Sequence, residues 1–233
     1  MDQSIFHDPE REEREAKFAR PEYAFQFRTG MQTAKRKPVS LGKWRVLAAG
    51  EDTAKGIAEL MGGTPSLKFP EKEHNFEVLT DSDSVEIVLS GPDAIEDKFM
   101  MWGPNGLPIH ECDGVRSLMP DDKGELCGCT GSLKERKSKS RAGKAPGPNV
   151  VVSFRLAGLG YDLGMGRWIG TAWQFAETVH EVKDALDDVE GEALVRLEIE
   201  HREFTNDDGE LVKYKVPVMT VLGSYNDAIA EER

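Results

Sequence analysis

The sequence predicts an α+β fold in which a mixed or antiparallel sheet packs against helices and carries a long loop insertion that needs a local source of stability. Alternating apolar residues, typical of half-buried strands, occur in both halves of the chain. Segments with helical spacing lie between them, and strands and helices in mixed order are typical of α+β folds. From Gly103 to Asn149 the chain is rich in Gly, Pro, Ser, Cys and Lys and has almost no apolar periodicity, which indicates the insertion.

The N-terminal half is predicted to contain two parts. Residues 1–40 form a charged, partly flexible segment, in which Tyr23, Phe25 and Phe27 alternate as on one face of a strand. Residues 41–102 form an N-terminal α/β part.

Within this α/β part, the apolar run from Lys43 to Ala48 predicts a strand. A helix follows, and Asp52 or Thr53 is its expected N-cap because short polar side chains accept hydrogen bonds from the first free N–H groups. Two further extended runs, 75–80 and 84–90, are joined by a short polar turn, a pattern typical of a β-hairpin. Residues 91–93 then open a brief helix, since proline is tolerated in a first helical turn.

Residues 150–233 are predicted to be the C-terminal strand, helix and hairpin of the same core. Val150 to Leu156 is rich in β-branched side chains and predicts a strand, and the glycine-rich residues 158–170 predict a turning loop. Thr171 and Gln174 have the spacing of a capping box. Apolar residues from Phe175 to Val189 recur at intervals of four and three, which predicts a helix of about five turns.

The chain is then predicted to end in a hairpin. Residues alternate from Ala193 to Ile199, Asp208 and Gly209 provide a turn, and Leu211 to Leu222 returns as a strand. Pro217 lacks a ladder donor, so this strand is expected at a sheet edge or to bulge there.

Residues 103–149 contain the strongest chemical signal, His110-Glu-Cys112 followed by Cys127-Gly-Cys129. Three thiolates and one imidazole complete a tetrahedral zinc shell, and ligands two apart on an extended segment point the same way. The expected ligands of a structural zinc are His110, Cys112, Cys127 and Cys129. His74 or Asp113 is an alternative fourth ligand, and three reduced cysteines beside a surface histidine remain the alternative without metal.

A catalytic zinc would keep one coordination position open and would need a general base, for which Glu111 and Glu125 are the candidates. The sequence contains no His-Glu-x-x-His or His-x-Glu…Cys-x-x-Cys motif, so a structural ion is the favoured interpretation.

The charge distribution bears on partners. The net charge of −12 disfavours nonspecific DNA binding by the whole chain. The stretch from Lys134 to Lys144 nevertheless holds six cations and one Glu, so it is either an auxiliary DNA contact or a solvated loop. No apolar stretch is long enough to span a bilayer and the start has no apolar leader, so we expect a cytoplasmic protein without a membrane partner.

Five segments together resemble the actinophage recombination directionality factors of large serine integrases. They are Glu111-Cys-Asp-Gly114, Cys127-Gly-Cys129, the strand Pro148–Leu156, the Gly-x-Gly-x-Trp…Ala-Trp segment from Gly164 to Trp173, and the ending Lys213-Tyr-Lys-Val-Pro-Val218. The resemblance covers roughly residues 40 to 222 in order, and the three cysteines match the family's cysteine pattern.

The resemblance implies a bacteriophage protein with no enzymatic reaction of its own. It would bind a large serine integrase on attachment-site DNA in the host cytoplasm, in part through the integrase coiled-coil module. It would activate attL × attR excision and inhibit attP × attB integration. The alternatives are a phage zinc-dependent enzyme or a replication accessory protein acting on nucleic acid.

Overall fold

A computed structural model describes residues 23–33, 35–129, 131–206 and 209–231 of the 233-residue chain. The flexibility expected for the start of the chain falls mainly on residues 1–22, which lie outside the described residues. The fold of the described chain is α+β with a large mixed sheet, as the sequence predicts.

The described residues form eleven strands, four α-helices and two short 3₁₀ turns. The strands are β1 (Phe25–Gln32), β2 (Pro38–Ala48), β3 (Pro65–Leu67), β4 (Phe76–Leu79), β5 (Ser84–Leu89), β6 (Ile95–Trp102), β7 (Pro108–Cys112), β8 (Gly147–Leu156), β9 (Gly166–Gly170), β10 (Ala193–Thr205) and β11 (Leu211–Ser224). The helices are α1 (Glu51–Met61), α2 (Leu133–Arg141), α3 (Trp173–Asp187) and α4 (Tyr225–Glu231), and the 3₁₀ turns are Pro92–Ala94 and Tyr161–Leu163.

The chain divides into two compact units. The core unit comprises residues 23–96 and 150–231, and the insertion unit comprises residues 97–149. The sequence placed its boundaries at 40/41, 102/103 and 149/150. Strand β1 lies within the predicted N-terminal segment and is part of the core sheet, where it pairs with β2 and β9.

The core unit is built on a sheet with the strand order β11-β10-β5-β8-β9-β1-β2-β4-β3. Strand β1 runs parallel to β9 and antiparallel to β2, so the sheet is mixed. Alternation puts one face of each strand into the core, as in β10, where four apolar side chains are at most 2% exposed: Ala193, Val195, Leu197 and Ile199.

Aromatic rings fill the centre of this core. Trp44 and Trp168 lie with their ring centroids 5.9 Å apart, and Phe27 packs between Trp44 and Phe154. Because aromatic side chains bury the largest apolar areas, these residues dominate the stability of the core unit.

The C-terminal hairpin of β10 and β11 is confirmed, and Pro217 lies in a strand at one end of the sheet order, as expected. The brief helix after Gly91 is also confirmed, as a 3₁₀ turn.

The predicted hairpin between residues 75 and 90 is wrong. Strand β4 pairs with β2 and β3, whereas β5 pairs with β10 and β8. The connecting residues are bound elsewhere, because the N–H groups of Asp81 and Ser82 both donate to the Met61 carbonyl at the end of α1. These hydrogen bonds hold the connection between β4, which pairs with β2 and β3, and β5, which pairs with β10 and β8.

Two predicted helix caps are also wrong. Helix α1 is preceded by Gly50, which offers no side-chain cap, so Asp52 and Thr53 lie inside the first turn. Helix α3 begins after Ala172, again without a side-chain cap, and has 15 residues, closer to four turns than five.

The glycine-rich residues 158–170 are only partly a loop, because the last five form β9. A Cβ at Gly166 would overlap the Phe25 ring, so glycine is what allows β9 to lie beside β1 with that ring above it. No helix in the described part of the chain combines the length and the apolar character needed to cross a membrane.

Candidate metal centre

Strand β7 of the insertion unit presents His110 and Cys112 on one side. Residues two apart in a strand point the same way, and β7 is held against β6 by the pairs Met101↔His110 and Phe99↔Cys112. Glu111 points to the other side, where its carboxylate lies 2.6 Å from the Lys98 ammonium. His110 and Cys112 therefore lie on one face of β7, and the carboxylate of Glu111 lies on the opposite face.

The chain after β7 folds back so that Cys127 returns to Cys112. Gly114 takes a left-handed conformation at φ 99°, and isolated bridges then join Cys112 to Ser117 and Arg116 to Leu126. The Cys127 N–H donates to the Val115 carbonyl at 2.9 Å. These backbone contacts hold residues 112–127 as a compact turn within the predicted loop insertion.

The turn also fixes Asp113, one of the alternative fourth ligands. Its Oδ1 accepts hydrogen bonds from the N–H groups of Val115 at 2.8 Å and Arg116 at 2.7 Å. These bonds lower the pKa of the Asp113 carboxyl. His74, the other alternative, is buried in the core unit, where its Nε2 lies 2.7 Å from the Tyr23 carbonyl oxygen. Neither residue belongs to the cluster.

The four residues named as first-choice ligands come together. Their ligand atoms, three Sγ and one imidazole nitrogen, all lie within 4.8 Å of one another. The Sγ atoms of Cys112 and Cys129 are 3.8 Å apart, and Cys129 Sγ lies 3.2 Å from His110 Nε2. With Zn–S bonds of about 2.3 Å, tetrahedral thiolates are about 3.8 Å apart, so the cluster matches zinc with small adjustments. This group can bind a metal ion.

The backbone conformation of Gly128 allows Cys127 and Cys129 to direct their thiols toward the same point. It has φ 69°, in the left-handed region that favours glycine, and a Cβ there would meet nothing within 4 Å. The glycine therefore serves the backbone turn between Cys127 and Cys129 rather than close packing.

Burial and neighbouring thiols set the protonation of the cluster. Burial raises the pKa of the Cys112 thiol to about 12, and burial also raises the pKa of the Cys129 thiol. Without a cation these groups stay protonated at neutral pH. A metal ion reverses the preference, since its charge favours the thiolate.

Among the described residues, no carboxylate lies beside the cluster in the position that a catalytic zinc would use. No Asp or Glu joins the metal-binding group within the part of the chain that the structure describes. Glu111 pairs with Lys98, and Glu125 is exposed, with its backbone carbonyl accepting a hydrogen bond from the Ser117 N–H. The geometry therefore gives neither carboxylate the position of a general base.

A short helix borders the cluster, where the sequence predicted a low-complexity loop. Helix α2 begins with a complete capping box: Ser132 Oγ accepts from the Glu135 N–H, and the Glu135 carboxylate accepts from the Ser132 N–H. The Ser-x-x-Glu spacing was visible in the sequence. It was missed because α2 contains no buried residue and so has no apolar periodicity.

Helix α2 and the cluster enclose a cleft of about 290 Å³. His110, Cys127 and Cys129 form one wall, and Arg136, Lys139 and Lys144 bring three cations to the other.

No protein-family model matches the sequence, and no solved structure matches the chain.

Proposed function

We propose that His110, Cys112, Cys127 and Cys129 bind a structural zinc ion. The proposal is supported by the donor types and by ligand atoms within 4.8 Å of one another. A second support is that the core cluster of buried apolar residues includes none between 97 and 149. The insertion unit needs another source of stability, and zinc binding supplies folding free energy to such small units.

We further propose that this is a regulatory binding protein without enzymatic activity, a recombination directionality factor of a large serine integrase. The sequence resemblance over residues 40–222 suggests the partner. The cluster supports a structural and not a catalytic ion, since four protein ligands would close a tetrahedral site and leave no position on the metal for a substrate. Its place of action is the cytoplasm of a bacterial host.

The action of such a factor is a shift between integrase states. A ligand that binds two conformations equally shifts nothing, so the protein must bind the integrase more tightly in the synaptic complex for excision. A change of 100-fold in the ratio of the two outcomes requires about 2.7 kcal/mol of differential binding. The integrase supplies sequence recognition, which is compatible with the acidic balance of this chain.

The test is an in vitro recombination assay with the serine integrase encoded on the same genetic element. Adding this protein should stimulate attL × attR recombination and suppress attP × attB recombination. A matched protein with Cys127→Ser and Cys129→Ser should act more weakly, because the insertion unit loses its metal. If wild-type protein changes neither reaction and does not bind that integrase, the proposed role is wrong.

The cleft beside the cluster favours one alternative, a zinc-dependent phage enzyme acting on nucleic acid or a nucleotide. An enzyme would keep one coordination position open for water. Zinc replaced by cobalt distinguishes the two, since a closed Cys₃His site keeps the same absorption spectrum when nucleotides are added. A spectrum that shifts on addition of a nucleotide would favour the enzyme.

A further inference from the structure

We propose that the cleft formed by Arg136, Lys139 and Lys144 beside the metal cluster binds a backbone phosphate of duplex DNA. This inference goes beyond the proposed function and does not depend on an integrase partner. It rests on the placement of the cations, on the absence of ion pairs between them and the described residues, and on the charge that the cluster would carry with zinc bound.

The three cations meet because of two local structures. Arg136 and Lys139 are three residues apart in α2 and therefore lie on the same face of the helix. Lys144 follows the helix, and its N–H donates to the Lys139 carbonyl at 2.9 Å, which folds the chain back toward the helix end. All three residues line the cleft, opposite the wall formed by His110, Cys127 and Cys129.

None of these cations forms an ion pair within 4 Å in the part of the chain that the structure describes. Glu135 lies near enough to Lys139 for the lysine charge to help lower the pKa of the Glu135 carboxyl, but the two side chains make no direct contact. The Nε of Arg136 is buried and accepted by no described group. Glu135, the one acid of the tract, is engaged by the Ser132 N–H and hydroxyl in the capping box. A cationic site that makes no ion pair with any described residue favours an external anion.

The metal cluster accounts for only part of this positive charge. Zinc with three thiolates and a neutral imidazole carries about −1, so three cations leave the loaded cleft with about +2. A phosphodiester carries one negative charge and fits a cleft of about 290 Å³. The cleft therefore keeps an attraction for phosphate after the metal has bound.

The acidity of the whole chain does not cancel this local field. The insertion unit has nine Lys and Arg against seven Asp and Glu, so the excess acid lies elsewhere in the sequence. At physiological ionic strength charges are screened beyond about 8 Å, and the cleft responds mainly to groups close to it. Duplex DNA is the favoured partner because phosphates repeat along it, whereas single strands need several aromatic rings to stack on and Phe99 is the one aromatic residue among those that line the cleft.

The test measures binding of the zinc-loaded full chain to a fluorescent duplex of about 25 base pairs, at salt concentrations from about 20 to about 200 mM. Wild-type protein should bind at low salt, with an affinity that falls as the salt concentration rises. Lys139→Gln combined with Lys144→Gln should weaken binding at least about tenfold and reduce the salt slope by about 1, because the cleft loses its one phosphate contact. Both lysines are exposed, so zinc content and melting temperature should not change.

The matched control is Lys35→Gln combined with Lys37→Gln, which removes the same charge from two exposed positions of the core unit. Its affinity should stay within about twofold of wild type. Three results would overturn the proposal: no binding by wild-type protein at the lowest salt, equal losses in both double variants, or binding to anionic lipid vesicles but not to DNA.

Discussion

Among individual residues, the structure distinguishes most sharply between the candidates for the fourth ligand of the proposed metal site. His110 Nε2 lies 3.2 Å from Cys129 Sγ, whereas Asp113 accepts backbone hydrogen bonds and His74 lies in the core unit. We expect His110→Gln to lower zinc content from about one per chain to well below half, because an amide is a poor zinc ligand. Metal analysis of protein purified without chelator measures this.

The controls for this prediction are Asp113 and His74, the two alternative fourth ligands, which lie outside the cluster. Asp113→Asn and His74→Gln should both keep a full zinc content. His74→Gln should lower stability, because it disturbs the buried contact between His74 Nε2 and the Tyr23 carbonyl. Zinc loss in either control with retention in His110→Gln would show that another residue completes the site.

The raised thiol pKa values predict how zinc affinity depends on pH. Burial raises the pKa of Cys112 to about 12 and raises that of Cys129, so the metal-free protein holds both protons at neutral pH. Zinc must displace them, and each released proton changes the apparent affinity tenfold per pH unit. The affinity should therefore rise at least about 100-fold per unit between about pH 6 and pH 8.

A competition titration with a chromogenic chelator at several pH values measures this slope. The chelator's own proton affinity is known at each pH and is subtracted. An affinity that is flat or falls as the pH rises would contradict binding through these thiols.

The ligand set was predictable from the sequence because His-x-Cys and Cys-x-Cys spacing is a local property. The sequence favoured His110 but could not exclude Asp113 or His74, since that depends on which groups are already hydrogen-bonded in the folded chain. The orientation of Cys127 toward Cys112 depends on two isolated β-bridges, one between Cys112 and Ser117 and one between Arg116 and Leu126. No periodic pattern in the sequence predicts these bridges.

At the scale of elements, strands and helices with a strong periodic pattern were predicted well, and their pairing was not. The alternation in β10 reveals which side chains are buried, but the partner of β5 is set by long-range contacts. The polar turn at 81–83 looked like a hairpin because local sequence cannot show that the Met61 carbonyl binds it. Helix α2 was missed for the opposite reason, since its cap is local but it has no apolar face.

Strand β9 gives a prediction about glycine at this scale. A Cβ at Gly166 would overlap the Phe25 ring, which is fully buried between β9 and its neighbours. We expect Gly166→Ala to destabilise the protein by at least about 2 kcal/mol, because the ring or the strand must move in a close-packed core. Chemical denaturation monitored by circular dichroism measures the change in the free energy of unfolding.

The matched substitution is Gly56→Ala in α1, where the new Cβ would lie 3.5 Å from the nearest atom of Leu163, an ordinary contact. Here alanine should stabilise the protein by about 0.5 to 1 kcal/mol, since it restricts the unfolded chain and favours the helix. Opposite signs for the two substitutions are expected. A Gly166→Ala protein as stable as wild type would refute the packing of Phe25 over β9.

At the scale of the whole molecule, the two units differ in what stabilises them. The core unit buries aromatic and branched side chains on a mixed sheet, whereas the insertion unit contributes no member to the core cluster. Its buried apolar side chains include Met100 and Cys112, and Cys112 belongs to the cluster proposed to bind zinc. Positive charge is also concentrated in α2, in a chain with a net charge of −12.

This division predicts that metal removal unfolds the insertion unit and spares the core unit. A chelator should greatly increase amide hydrogen exchange in residues 97–149, because the turn that joins Cys112 to Cys127 depends on few backbone bonds. The strands β1, β2 and β10 should exchange as before, since their protection comes from the core. Trp44 and Trp168, both about 1% exposed, should keep their fluorescence emission for the same reason.

Three results separate the possible roles of the metal. Local exchange that zinc reverses is the expected outcome, and it makes the ion a structural part of the insertion unit alone. If chelation unfolds both units together, the metal supports the whole fold and the division into units has no thermodynamic meaning. If exchange in residues 97–149 does not change, the unit is stable as a metal-free turn and the weaker recombination activity expected of the cysteine variants loses its physical basis.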